Sequence, residues 1–170
     1  NFTRNLPGVL DDLDAEFLKD MRVAVRRTRA ALWALRPAWR RRALRPLEAG
    51  LKWLGDVSTP VRDLDVYLQR LPVYQARLPA ELQAALDPMG GLLRTLRAAN
   101  QAALVRALTS PGFATIDALW AAFLTPEKPS KKPAARLLIV QIARGRTAAT
   151  YTALCAEVRA SRTPLGTLAA

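Results

Sequence analysis

The sequence predicts an all-α fold, an antiparallel helical bundle, and three observations carry that expectation. Ala, Leu and Arg dominate the chain, and all three are good helix formers. Apolar residues recur at spacings of three and four, and no window alternates like a half-buried strand rich in Val, Ile and Thr. Prolines punctuate the text, as they do where helices end and restart. At 170 residues and 51% hydrophobic, the chain is one domain, or one and a fraction, with enough apolar matter for a core.

The first helix is expected over about residues 14–35. Leu18, Met21, Val25, Thr28, Leu32 and Leu35 form its apolar stripe, and Pro37 ends it. A second helix, about residues 38–57, carries Leu44, Leu47, Leu51 and Leu54 on one side. Thr59-Pro60 reads as an N-cap followed by proline at the first helical position. A third helix would then run from Pro60 to about Leu71, packing through Leu64, Tyr67, Leu68 and Leu71. After a loop containing Pro72 and Pro79, a helical turn covers about residues 80–86. Asp87-Pro88 restarts a longer helix to about Leu108, and Ser110-Pro111 starts another that ends near Leu124. Residues 126–133 read as a polar loop or linker. A last helix spans about residues 134–161 before Pro164 and Gly166 break the tail. Short connections favour antiparallel packing, and no internal repeat is evident.

Composition excludes several chemistries. There is no histidine, which removes Ser-His-Asp and Cys-His nucleophile systems and most catalytic zinc sites. One cysteine, Cys155, permits neither an internal disulfide nor a thiolate-rich metal site. Apolar runs such as 30–35, 118–124 and 137–140 fall far short of a membrane span of about 20 residues. With no signal peptide in view, the reading is a cytoplasmic domain; the initial Asn points to a piece of a larger protein.

The net charge of +12 attracts polyanions, and the surplus is uneven. Residues 1–18 hold Asp11, Asp12, Asp14 and Glu16 against Arg4 alone, a pattern suited to a solvated helix start. Residues 19–45 then hold ten bases against Asp20 alone. Arginine far outnumbers lysine, and its planar fork suits phosphate oxygens taken two at a time. On the first helix Lys19, Arg22, Arg26 and Arg29 fall within an arc of about 80°, beside the apolar stripe. Four like charges stacked in this way repel one another, and a polyanion would relieve the repulsion. On the second helix Arg41, Arg45 and Lys52 share a face with Glu48 among them. For Arg62, ligand contact and an ion pair between helices stay equally open. Asp63 and Asp65 read as ion-pair partners, with Asp63 also placed to complement the dipole of a helix starting at Pro60.

The string Phe17-Leu18-Lys19-Asp20-Met21-Arg22-Val23-Ala24-Val25-Arg26-Arg27-Thr28-Arg29 resembles the signature helix of the CHAD family, the conserved-histidine α-helical domain. The match continues in order through Leu51-Lys52-Trp53-Leu54-Gly55-Asp56-Val57 and Arg62-Asp63-Leu64-Asp65-Val66. Asn5-Leu6-Pro7-Gly8-Val9-Leu10 and Leu108-Thr109-Ser110-Pro111 resemble the family too, and the likeness is weakest after about residue 134. The resemblance implies two similar four-helix halves around a basic channel that binds inorganic polyphosphate. It carries the channel's cations onto Arg22, Arg26 and Arg29, with Lys52 and Arg62 less securely. The family's namesake histidine aligns with Lys19, which keeps a cation and loses any pH-switched role. It also implies a division: residues 1–125 as one helical bundle, 126–133 as linker, and 134–170 as a helix leading into a second half that is truncated, disordered or absent.

The leading functional expectation is a non-enzymatic binding module for polyphosphate or a similar linear polyanion. Lys19, Arg22, Arg26, Arg29, Lys52 and Arg62 are its candidate contacts, with no catalytic residue, metal or cofactor. One alternative is a nucleic-acid backbone binder, although Trp33, Trp53, Trp120, Phe113 and Phe123 sit in apolar stripes and read as core. Another is a basic scaffold lying on storage granules or anionic membranes. Phosphate hydrolysis would need clustered carboxylates for metal, and Asp56, Asp63 and Asp65 are too few and too near cations. The oligomeric state is open.

Overall fold

The computed structural model describes residues 2–125 and 139–161; the expected polar linker, residues 134–138 and the tail with Pro164 and Gly166 lie outside them. Among the described residues there are seven α-helices and no strand. They are α1 (Leu6–Leu10), α2 (Ala15–Leu35), α3 (Arg41–Gln75), α4 (Ala80–Gln83), α5 (Asp87–Leu108), α6 (Pro111–Leu124) and α7 (Ile139–Ser161). Short 3₁₀ turns cover Phe2–Asn5, Arg36–Ala38 and Ala84–Leu86.

Local chemistry accounts for the starts of α2 and α6. Asp14 caps α2 by accepting a hydrogen bond from the Glu16 amide at 2.9 Å. Ser110 caps α6 by accepting from the Phe113 amide at 3.3 Å, with Pro111 at the first position. The α1–α2 turn passes through Asp12 at φ 51°, a left-handed conformation that Asp tolerates better than most residues. Gly8 lies directly under the Phe17 ring; a Cβ there would come within 2.4 Å of ring carbons, so α1 sits against α2 only with glycine at that point.

The expected break at Thr59-Pro60 does not occur. One helix of 35 residues, roughly 52 Å at 1.5 Å per residue, runs through Pro46, Pro60 and Pro72. Burial explains why. Leu44, Leu47, Leu51, Leu54, Ser58, Val61, Asp65 and Leu71 are buried along α3, in phase on both sides of Pro60. Packing along this continuous stripe outweighs the local cost of a proline within the helix. Two further expectations fall with the break. Tyr67 is 57% exposed because Val61 and Asp65 occupy the inward positions, and Asp63 sits mid-helix, where no helix start exists for it to complement.

Helix α3 is the spine of the molecule, with α2, α5 and α6 packed on it and α7 packed on α2. Arg22 reaches Ser58 while Arg36 reaches Glu48, so α2 and α3 run antiparallel. Asp65 meets Arg97 and Leu71 meets Gly90, so α3 and α5 do too. The core joins the α2 and α3 stripes to Leu104, Leu108, Phe113 and Trp120 from α5 and α6. Trp53 and Phe123 pack partly buried against it, as their stripes predict.

Candidate functional site

A groove of about 510 Å³ lies between the C-terminal half of α2 and the N-terminal half of α3. Arg26, Arg29, Trp33 and Arg36 form one wall, and Glu48 and Lys52 stand on the other. The helical repeat places them there. Val25 and Leu32 are buried, so Arg26, Arg29 and Trp33 fall on the adjoining flank; Leu47 and Leu51 do the same for Glu48 and Lys52. Arg26, Arg29 and Lys52 are exposed to the solvent that fills the groove. Lys52 bonds Asp56 at 2.5 Å, one turn along its own helix, and Arg36 donates to Glu48 across the groove at 2.8 Å.

One turn beyond Arg26, toward the N-terminus of α2, Arg22 reaches across to α3. Its Nη1 donates to the Gly55 carbonyl at 2.9 Å, to Ser58 Oγ at 2.7 Å and to Thr59 Oγ1 at 3.1 Å. Ser58 and Thr59 in turn donate to the Leu54 and Gly55 carbonyls. Burial lowers the Arg22 pKa from its ordinary value; Asp63 opposes the shift, and the like charges of Arg62 and Arg26 add to it. All three acceptors are neutral, so hydrogen bonding satisfies the guanidinium without cancelling its charge. The surroundings of the groove stay positive for that reason.

The family model of the CHAD domain matches residues 1–168. The chain belongs to the CHAD family. No curated protein matches it.

Within this CHAD domain the six sequence-predicted site residues take three different places. Arg26, Arg29 and Lys52 meet in the groove, and Arg22, outside its lining, ties α2 to α3 one turn beyond Arg26. Lys19 and Arg62 are not among its lining. Lys19 is exposed and bonds Glu16 at 2.5 Å on its own helix. Arg62 is half-buried, with a buried Nη1 that has no hydrogen-bond partner. The groove also holds residues the sequence reading placed elsewhere or passed over: Trp33, Arg36 and Glu48. Trp33 was expected in the core, yet it is 36% exposed and lines the groove. The signal was present, since Trp33 falls inside the same 80° arc as the basic row, at about 100° per residue.

Asp65 is an ion-pair partner as expected, whereas Asp63 is in no ion pair among the described residues. Arg97 on α5 donates Nε to Asp65 at 2.8 Å and both terminal nitrogens to Asp12, so one guanidinium ties α3 and the α1–α2 turn to α5. The hydrogen bond to Asp12 raises its pKa most; burial works against the rise and Asp65 adds to it. Asp14 caps α2 and Glu16 holds Lys19, which accounts for most of the acidic run at the chain's start. Among the described residues no three Asp, Glu or Cys side chains gather as a metal site requires. None of the described helices is by itself long and apolar enough to cross a membrane.

Proposed function

We propose that this CHAD domain binds inorganic polyphosphate, or a closely similar linear polyanion, along the α2–α3 groove, and that it binds without catalysing a reaction. The observation that carries the reading is the meeting of Arg26, Arg29 and Lys52 from two antiparallel helices over one open groove. Arg22, whose hydrogen-bond acceptors are all neutral, adds positive charge one turn beyond Arg26. CHAD domains are associated with polyphosphate binding, which agrees in ligand class. Hydrolysis of phosphate chains calls for carboxylates that hold metal ions, and the acids near the groove are engaged with cations instead. A nucleic-acid backbone is the second reading, favoured by the exposed Trp33 indole, on which a base could stack.

The test is a titration with long-chain polyphosphate at several salt concentrations, competed by duplex DNA at equal phosphate concentration. Arg26→Gln, Arg29→Gln and Lys52→Gln are combined in one variant. The expected result is a loss of tight binding, with the log–log salt dependence flatter by about one unit per lost contact. Changing exposed Arg70, Arg77 and Arg106 to Gln removes equal charge away from the groove and is expected to cost far less. Equal losses in the two variants would show net charge in control and overturn the groove. DNA that displaces polyphosphate efficiently would favour the second reading.

A further inference from the structure

A second cavity, of about 590 Å³, opens where α2 turns into α3. Arg41 and Arg45 line it from the first turns of α3, one turn apart, and Trp39 and Leu44 supply apolar wall. Trp39 is itself backed by the Phe123 ring at 5.5 Å, so that wall is fixed in place. Arg36 and Glu48 line this cavity and the groove alike. The two spaces therefore meet at one ion pair, with Arg26, Arg29 and Lys52 on one side and Arg41 and Arg45 on the other. Glu48 is the only acid among the described residues lining either space.

We propose that the corner cavity is a second anion subsite continuous with the groove, and that Glu48 sets a preference for long chains by holding Arg36 until a bridging polyanion takes its place. The inference rests on the reading of the groove as a polyphosphate site and extends it to ligand length. From Lys52 back to Arg41 is about 16 Å along α3 at 1.5 Å per residue. Tripolyphosphate, with two P–O–P bridges, is too short to engage the whole row from Lys52 past Arg45 to Arg41. An anion seated on one side meets Glu48 as a like charge and gains little from opening the pair. A chain that bridges both sides offers Arg36 several phosphate oxygens in exchange for one carboxylate. The Arg36 and Glu48 side chains are 50% and 29% exposed, and ion pairs this wet contribute little to stability, so a polyanion opens this one cheaply.

The experiment compares tripolyphosphate with long-chain polyphosphate on the intact chain, with circular dichroism confirming retained helicity in each variant. For Arg41→Gln with Arg45→Gln, long-chain affinity is expected to fall about tenfold or more and its salt slope to flatten by about two units. Tripolyphosphate affinity should stay put. Glu48→Gln is expected to lower the ratio of long-chain to tripolyphosphate affinity several-fold, because the short anion no longer meets a like charge and finds Arg36 free. Arg70→Gln with Arg77→Gln controls for charge alone. If wild type binds both ligands and the Arg41/Arg45 variant matches either wild type or the control, the subsite is wrong while the groove stands. An unmoved or raised ratio in Glu48→Gln likewise overturns the role given to Glu48. If wild type binds neither ligand, the groove reading fails and the subsite fails with it.

Discussion

Arg22 and Arg97 fasten the two flanks of α3 at the two polar positions of its buried stripe. Arg22 reaches Ser58 from α2, and Arg97 reaches Asp65 from α5. Both acceptors are almost fully buried, so each arginine answers the same need, a hydrogen-bond donor for a polar group enclosed in the core. Their partners differ in charge. Arg97 faces two carboxylates, which raise its pKa and consume its charge locally. Arg22 faces a carbonyl and two hydroxyls, which leave the charge in force, and burial lowers its pKa. The comparison teaches that a count of arginines overstates the field a ligand meets. What matters is whether each guanidinium is held by neutral or by ionised groups.

The largest effect should come from the carboxylate-bound side. Arg97→Met strands Asp65, whose side chain is 3% exposed, as an unpaired buried charge. Urea unfolding should show a loss of about 3–5 kcal/mol, with most of it recovered when Asp65→Leu is added. Polyphosphate affinity of the folded fraction should hardly change. A cost below about 1 kcal/mol, the level of an exposed pair, would end the contrast between the two arginines.

Arg22→Met should cost less, about 1–3 kcal/mol, since neutral acceptors are left short of a donor and no charge is stranded. Ser58 and Thr59 keep their own bonds to carbonyls on α3, which limits the damage. Unlike Arg97→Met, this change should also weaken polyphosphate binding and its salt dependence, and a variant that loses stability alone would show Arg22 to be only a strut. The smallest effect belongs to Lys19→Gln. Its exposed pair with Glu16 is worth at most about 0.5 kcal/mol, and its position outside the groove lining predicts affinity close to wild type. A large loss of affinity there would mean that the anion's path extends along α2 toward its N-terminus.

Much of this architecture is legible locally. Asp14 and Ser110 announce their helices because a cap needs only the next few residues. The stripes through Leu18 to Leu32 and Leu44 to Leu54 follow from spacing alone, and they fix which flank carries Arg26 and Arg29. Thr59-Pro60 misleads because it has the chemistry of a helix start, and only packing on both sides of it decides otherwise. The continued phase through Ser58, Val61 and Asp65 was there to be read, but two polar residues hid it. Each of those two is made tolerable by an arginine from another helix. Arg97 itself lies 32 residues from Asp65 and 85 from Asp12, and no local pattern connects partners so far apart. Trp33 shows the opposite error, an aromatic assigned to the core by type while its angle on the helix placed it with the cations.

The proline at position 60 gives the middle of α3 a further property. Pro60 has no amide to offer the Asp56 carbonyl, so this stretch of helix lacks a rung that ordinarily slows its opening. Beside the gap, the Gly55 carbonyl accepts from Arg22, Ser58 and Thr59 side chains, and the first of these belongs to a different helix. Hydrogen exchange of the amides just after Pro60 therefore reports on the seating of α2 as much as on α3 itself. A polyanion drawn onto Arg26 and Arg29 steadies the helix that carries Arg22, and slowed exchange near Val61 becomes its signature at a distance. The gap in the ladder is thus a built-in gauge of whether the basic helix is occupied.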